Sequence, residues 1–469
     1  MNSIKIVQRI FRKYISVILS AALISCGIPL LTVMAEETEY IVKYNEYGLK
    51  HFAEDCTVPL GFANKSELDA LINANAVEWY EKDTEVTLPD TDESADFSLF
   101  SSYYTDTMWH LDMIDADAAY ESGYMGQGVK IAVIDTGVNE HNALKGRILE
   151  GYNYLNDSTD TADANGHGTN VAGLIAGCDD VEMVGTAPKA EIVPLKCFSG
   201  SLGSSVMMTR AILEAVNKYD CDIINLSVCL KNEVESVKEA VDYAVENGVI
   251  VVAAAGNDGT SRIRYPAYYD NVISVGAVKQ NGELSWCSNY NDGVTLTAPG
   301  ESITTTSYRG KYTTCTGTSF SAPLVTGAVA DLLSANPYLT PENIMEIIKS
   351  NSTDMSTEGY DNYYGWGILN VRNYLTAINA SFPLEISDPE ETDGALKSVI
   401  KNKSKITVEC DVYAAVYTND GVLSDVAITP LTLEAQGEAE ITVPSWGKRT
   451  IYLFNKGTIC PLAEAKKLQ

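Results

Sequence analysis

Between residues 105 and 380 the chain alternates short, near-continuous apolar runs with stretches of helical spacing. The runs fall at 130–135, 191–198, 222–228, 248–255 and 271–278 and are rich in Val, Ile and Ala. Apolar positions recur at helical intervals over 206–219 and 233–247. A strand that is apolar at consecutive positions has both faces covered. The pattern therefore predicts an α/β unit, a mostly parallel sheet with helices on both sides.

The flanks read differently. Tyr40-Ile41-Val42-Lys43-Tyr44 alternates as a strand, Lys65 to Ala74 has helical spacing, and Val77-Glu78-Trp79-Tyr80 opens a second strand. After Leu88, Pro-Asp-Thr-Asp-Glu-Ser-Ala-Asp reads as an exposed linker. Residues 36–104 thus predict a small α+β leader joined by a segment that a protease can cut. Residues 381–401 read as a second polar linker. From 402 to 469 the chain alternates without helical period, as in Lys405-Ile406-Thr407-Val408, and predicts a small β-sandwich-like domain. A chain of 469 residues exceeds what one core holds, in keeping with several folded units.

Lys5, Arg9, Arg12 and Lys13 precede an uncharged run from Tyr14 to Met34, and Ala35 is followed by Glu36-Glu37. A basic head, an apolar middle and a small residue before polar sequence predict a secretory signal over residues 1–35. Two other readings stay open. The run is long enough to remain as an N-terminal membrane anchor, and Leu23-Ile24-Ser25-Cys26 resembles a lipoprotein box with Cys26 as the lipidated residue. No second run of membrane length follows.

Charge narrows the partners. The chain carries 63 acidic and 33 basic residues, a net charge of -30, which excludes nucleic acid and anionic membrane surfaces and suits an extracellular setting. The leader holds 16 of the acidic and only 4 of the basic residues. None of the ten cysteines has Cys-x-x-Cys spacing. Cys197, Cys221 and Cys287 lie in strand-like surroundings as small hydrophobes, while Cys410 and Cys460 are available to pair near the C-terminus.

Candidate chemistry begins at Lys130-Ile131-Ala132-Val133-Ile134-Asp135-Thr136-Gly137-Val138. Asp-Thr-Gly at a strand end fits half of an aspartic-protease dyad, an aspartate that orients a histidine, or a plain turn. This chain has one such tripeptide, so a dyad has no second half. Two later stretches point to the histidine. Asn165-Gly166-His167-Gly168-Thr169 sets one of only four histidines between glycines, at the mouth of a helix rich in Ala and Gly. Gly317-Thr318-Ser319-Phe320-Ser321-Ala322-Pro323 opens a helix that runs through Leu333, with Pro323 in its first turn. Ser319 then sits where free N–H groups and the helix dipole favour a developing oxyanion. Val251-Val252-Ala253-Ala254-Ala255-Gly256-Asn257 ends a further strand on an asparagine.

The order Asp135, His167, Ser319 resembles that of subtilisin-like serine proteases, the subtilase family, across residues 105–379. The resemblance implies a subtilisin-like three-layer fold and a secreted endopeptidase acting through an acyl-enzyme. Ser319 is then the nucleophile, His167 the base and later the acid, and Asp135 its orienting partner. Asn257 joins the Ser319 N–H as oxyanion donor. The leader resembles the family's propeptide, with Tyr40–Tyr44 as its first strand, and is expected to assist folding and inhibit until self-processed. Polypeptides are the implied substrates, the chain the implied monomer, and no cofactor is needed for the chemistry. A structural Ca²⁺ is common in relatives. The matching stretch here, Cys178-Asp179-Asp180-Val181-Glu182-Met183, is shorter and assigns no ligands.

Substrate recognition is implied for Ser227, Val228, Cys229, Ala254, Gly256 and Arg264. Cys229 stands where relatives often have glycine, which suggests a reshaped pocket. Arg264, before Tyr265-Pro266, suggests selection of an acidic side chain before the scissile bond; an internal ion pair or a solvated position are the alternatives. Asp90, Asp92, Glu93 and Asp96 offer self-processing sites of that kind. Against the enzyme stands a surface or adhesion protein that uses a protease fold without catalysis. In its support, Ile451-Tyr452-Leu453-Phe454 resembles small β-modules of secreted bacterial proteins.

Overall fold

A computed structural model describes residues 40–52, 59–89, 92–97, 108–178, 183–378, 384–388, 390–392, 395–402, 408–418, 423–434, 437–443, 448–455 and 466–468. The expected signal segment with Cys26, the acidic stretch 179–182 and Cys460 lie outside the described residues.

The leader folds as β1 (Tyr40–Tyr44), α1 (Glu46–Phe52), β2 (Leu60–Ala63), α2 (Lys65–Asn73) and β3 (Val77–Lys82), with an antiparallel sheet in the order β2-β1-β3. Asn64 and Glu67 form a reciprocal capping box at the start of α2, whose Leu68 and Leu71 pack on Val42. Two short strands follow, β4 (Glu85–Thr87) and β5 (Asp92–Phe97). The second corrects the reading of this stretch as a free linker. Its backbone pairs antiparallel with 312–316, so the ladder comes from a partner edge rather than from any apolar pattern of its own.

The central unit runs β6 (Lys130–Asp135), β7 (Tyr152–Asn153), α3 (His167–Ala176), β8 (Glu191–Lys196), β9 (Leu202–Ser204), α4 (Ser205–Asn217) and β10 (Ile223–Leu226). It continues through α5 (Glu235–Glu246), β11 (Ile250–Ala254), β12 (Ile273–Val278), β13 (Leu296–Pro299), β14 (Ile303–Ser307), β15 (Lys311–Thr316) and α6 (Thr318–Ala335). Seven strands form one parallel sheet in the order β13-β12-β11-β10-β6-β8-β7. Alternate residues feed opposite cores. Ile131, Val133, Ile223 and Val252 pack with α3 and α6, whereas Ala132, Ile134, Ile224 and Val251 pack with α4 and α5. Three layers result.

Strand order reverses beside β6, since β7 and β8 lie to one side of it and β10 to β13 to the other. The carboxyl ends of β6, β10 and β11 therefore open onto a switch point, where loops diverge and leave a crevice.

C-terminal to this unit lie β16 (Leu384–Ile386), β17 (Glu390–Thr392), β18 (Ala395–Asn402), β19 (Val408–Tyr417), β20 (Leu423–Leu433), β21 (Glu438–Val443), β22 (Lys448–Asn455) and β23 (Lys466–Leu468). They form two four-stranded antiparallel sheets around Leu384, Ile400, Val412, Leu433 and Leu453. The expected linker 381–401 is corrected here. Its described residues supply three strands, because Leu384, Ile386 and Ile400 reach the core from an otherwise polar stretch. Cys410 is a free, buried thiol.

Every residue of α6 is buried, including Asp331, whose two carboxylate oxygens have no hydrogen-bond partner among the described residues. Burial pushes its carboxyl well above the usual range. The folded chain thus keeps a proton that the unfolded chain gives up above about pH 4, so stability falls as pH rises toward the folded value, by about 1.4 kcal/mol per pH unit. Asp331→Asn cannot ionise and is expected to remove this slope. Urea midpoints at pH 5 and pH 8 decide: equal slopes in both proteins would rule the account out.

Candidate active site

Asp135 closes β6 and is fully buried. His167 is the first residue of α3, and the preceding Gly166 turns the chain at φ 114°, a region that side chains disfavour. A Cβ at Gly168 would lie 2.1 Å from the Gly137 carbonyl oxygen, so only glycine lets α3 start against the Asp-Thr-Gly loop. Asp163 fixes that start by accepting from the N–H groups of Asn165, Gly166 and Thr169 at 3.0, 2.8 and 3.0 Å. Gly168 N–H donates to Thr136 Oγ1 at 2.9 Å. As a result His167 Nδ1 stands 2.9 Å from both Asp135 oxygens, with the ring almost wholly buried. The Thr136 N–H donates to Asp135 Oδ1 at 2.6 Å. Lys196 Nζ ties the same loop down, donating to the carbonyls of Thr136 and Ala162 at 2.7 and 2.6 Å.

Ser319 is the second residue of α6, after Gly317 and Thr318. Its Oγ donates to the Ser227 carbonyl at 3.3 Å, while Ser227 Oγ donates to the Ser319 carbonyl at 2.9 Å. Asn225 Nδ2 steadies Ser227 Oγ at 3.0 Å, and Thr326 Oγ1 donates to Asn225 Oδ1 at 2.8 Å. The His167 ring lies 5.5 Å from that of Phe320, the residue that follows Ser319 in the chain. Asn257 joins them. Its Oδ1 accepts from the Thr318 N–H at 2.8 Å and from Thr318 Oγ1 at 2.7 Å. A backbone N–H can only donate, which fixes the oxygen on that side and turns the Nδ2 amide to the other.

The implied pocket residues divide. Val228 and Ala254 bury their side chains in the two cores, so only their backbone can face a substrate. Cys229, Gly256 and Arg264 come together. A Cβ on Gly256 would meet Arg264 Cγ at 2.7 Å, and the buried Cys229 thiol, pushed up to about 12 mainly by burial, also senses the charges of Arg264 and Asp258. Of the alternatives for Arg264, the internal ion pair is the one formed, with Nη2 2.5 Å from Asp258 Oδ1. Asp163, Asn225, Lys196, Asp258 and Thr318 complete the site without being candidates in the sequence. Thr318 lies within the Ser319 motif, Asp258 directly after Asn257 and Asp163 two residues before Asn165, while Asn225 and Lys196 carry no local signal.

The leader pairs with the segment that follows Ser227 and with β9. Thr87 and Cys229 exchange both backbone hydrogen bonds in antiparallel sense, at 3.3 and 2.9 Å, and the Leu88 N–H donates to the Ser201 carbonyl at 3.0 Å. On the other side β4 pairs with β9. Beyond Ser319, Asp92 pairs with Thr316. The leader also caps two helices of the central unit: Glu81 Oε2 accepts from Ser236 at the start of α5, and Asp83 Oδ1 from Ser205 and Val206 at the start of α4.

The sequence profile of the Subtilase family matches residues 126–367, just over half of the chain. The chain belongs to the subtilase family. It is 33% identical over 342 residues to an alkaline protease of Alkalihalobacillus alcalophilus, covering 73% of this chain and 84% of that protein. Subtilisin Savinase of Lederbergia lenta is 36% identical over 264 residues, 56% of this chain and 96% of its own. Minor extracellular protease Epr of Bacillus subtilis (strain 168) is 33% identical over 293 residues, 61% of this chain and 45% of its own. This subtilase has the three-layer fold of its family and is a serine endopeptidase acting on polypeptides. Among the described residues no group of three or more His, Cys, Asp or Glu could hold a metal ion, and no helix is long and apolar enough to cross a membrane.

Proposed function

We propose that this subtilase is secreted, cuts peptide bonds through an acyl-enzyme on Ser319, and is made as a precursor that removes its own leader. The buried Asp135–His167 pair, with its ring against Phe320, the residue after Ser319, carries the reading. Ser319 Oγ attacks the peptide carbonyl as its proton passes to His167 Nε2, and the carbonyl π pair moves onto oxygen. The Ser319 N–H and the Asn257 amide hold that oxyanion. Collapse breaks the C–N bond while His167 returns the proton to the leaving amine. Water then repeats the sequence, releasing the acid and restoring Ser319. Asp135 holds the Nδ1–H tautomer and stabilises the imidazolium. Asn257→Ala is expected to lower kcat by about 10²–10³ with little change in KM, the magnitude known for subtilisin, a relative. An equal loss in KM alone would remove Asn257 from the oxyanion role.

The leader is proposed as propeptide and intramolecular inhibitor, supported by its backbone pairing with Cys229 and β9 and by the helix caps at Glu81 and Asp83. The proposed cut lies between Thr87, paired with Cys229, and Asp92, paired with Thr316. An acidic side chain before the cut is the proposed preference, supported by two guanidinium groups on a single carboxylate beside Gly256. Cleavage after Asp90 fits that preference, and cleavage after Pro89 does not. No cofactor takes part, and the chain acts as a monomer. The test is direct. The purified chain lacking residues 1–35 is followed by intact mass and N-terminal sequencing, then treated with a serine-directed phosphonate. A new N-terminus at residue 91 with phosphonate on Ser319 supports the proposal, and one at residue 90 or 92 removes the acidic preference from it. An uncut chain with no label overturns it.

A further inference from the structure

Arg264 leans on Gly256, one residue before Asn257, and is largely withdrawn from water, with 13% of its side chain exposed against 68% for Arg262. Both guanidinium groups turn on Asp258 Oδ1, at 3.3 Å from Arg262 and 2.5 Å from Arg264. Asp258 is itself fixed. Its Oδ2 accepts from Asn289 Nδ2 at 3.0 Å, and its N–H donates to Asn289 Oδ1 at 2.9 Å. Asn289 is fully buried and donates its own N–H to the Gly256 carbonyl at 2.9 Å, so the carboxylate is anchored to the strand end that carries Asn257. Burial pushes the Asp258 carboxyl up, but the Asn289 amide and the Arg264 guanidinium outweigh it and hold the group below its ordinary value.

We propose that Asp258 sets the selectivity of the pocket: anchored by Asn289, it positions Arg264 beside Gly256 and offsets part of its charge. A guanidinium has five N–H donors, so the edge not turned on Asp258 can still receive a substrate carboxylate. The pocket thereby prefers acidic side chains without expelling neutral ones of similar size. Asp258 is a positioning residue. The proposal rests on the reading of Ser319 and Asn257 as the acyl-transfer site.

The test uses processed enzyme, with active sites counted by the serine-directed phosphonate. The readout is kcat/KM for matched peptides carrying Glu, Gln or Leu before the cut. Glu and Gln differ in charge at nearly equal shape, so their ratio reports the field in the pocket. Asp258→Asn is expected to raise the Glu/Gln ratio about tenfold, about 1.4 kcal/mol, and 1 M salt to reduce the gain. Arg264→Met is expected to bring the ratio near one, and Arg264→Lys, which keeps the charge, to restore part of it. An unchanged or lower ratio in Asp258→Asn overturns the proposal, as does an Arg264→Met ratio equal to wild type. Failure of the underlying reading shows separately, as loss of phosphonate labelling in the wild-type protein.

Discussion

A Ser319→Ala chain is expected to keep its leader and to hydrolyse peptides about 10⁶-fold more slowly, the scale found when the nucleophile of subtilisin, a relative, is removed. The size follows from how the groups act. Without Oγ there is no acyl-enzyme, and His167 and Asp135 have no proton to move, so their contributions vanish together. What remains is the pull of the oxyanion donors on a bound carbonyl. Folding is not the cause of the loss, because Ser319 Oγ makes one long hydrogen bond, to the Ser227 carbonyl at 3.3 Å, and its deletion costs about 1 kcal/mol. Urea unfolding of the variant should therefore match wild type within that margin. Intact mass over time decides: equal leader loss in both chains would take processing away from Ser319.

The strands of the sheet were legible because both of their faces are buried, and β6 runs over the predicted residues 130–135. The three chemical motifs were legible for a different reason. Each packs its requirement into a few residues, such as the glycines at 166 and 168 that admit α3 to the Asp135 loop. Contacts between distant positions left no such mark. β5 carries no apolar alternation, and its pairing with 312–316 depends on an edge more than 200 residues later. Arg264 stood out as a cation in a pocket, yet its partner Asp258 gains meaning only through Asn289, 31 residues further on. Strands 384–402 hid in an acidic stretch because few side chains reach their core.

Asp135→Asn is expected to lower kcat by about 10⁴ while leaving the fold and KM nearly unchanged. The reason lies in which oxygen is already committed. Oδ1 accepts from the Thr136 N–H at 2.6 Å, and an amide NH₂ cannot take that place. The asparagine must therefore set its oxygen there and its nitrogen where Oδ2 stood, 2.9 Å from His167 Nδ1. Although Oδ1 also lies 2.9 Å from Nδ1, an amide nitrogen at the second position repels an Nδ1–H and donates to a bare Nδ1, so the tautomer with Nδ1 as acceptor is favoured. The proton moves to Nε2, the atom that must accept from Ser319, and the base is lost although every side chain keeps its position. Asp135→Ala, which removes the carboxylate altogether, is expected to cost a similar factor, about 10⁴, as in subtilisin, a relative. If Asp135→Asn retained more than a tenth of wild-type kcat, His167 would not depend on Asp135 for its tautomer, and the proposed proton path would fail.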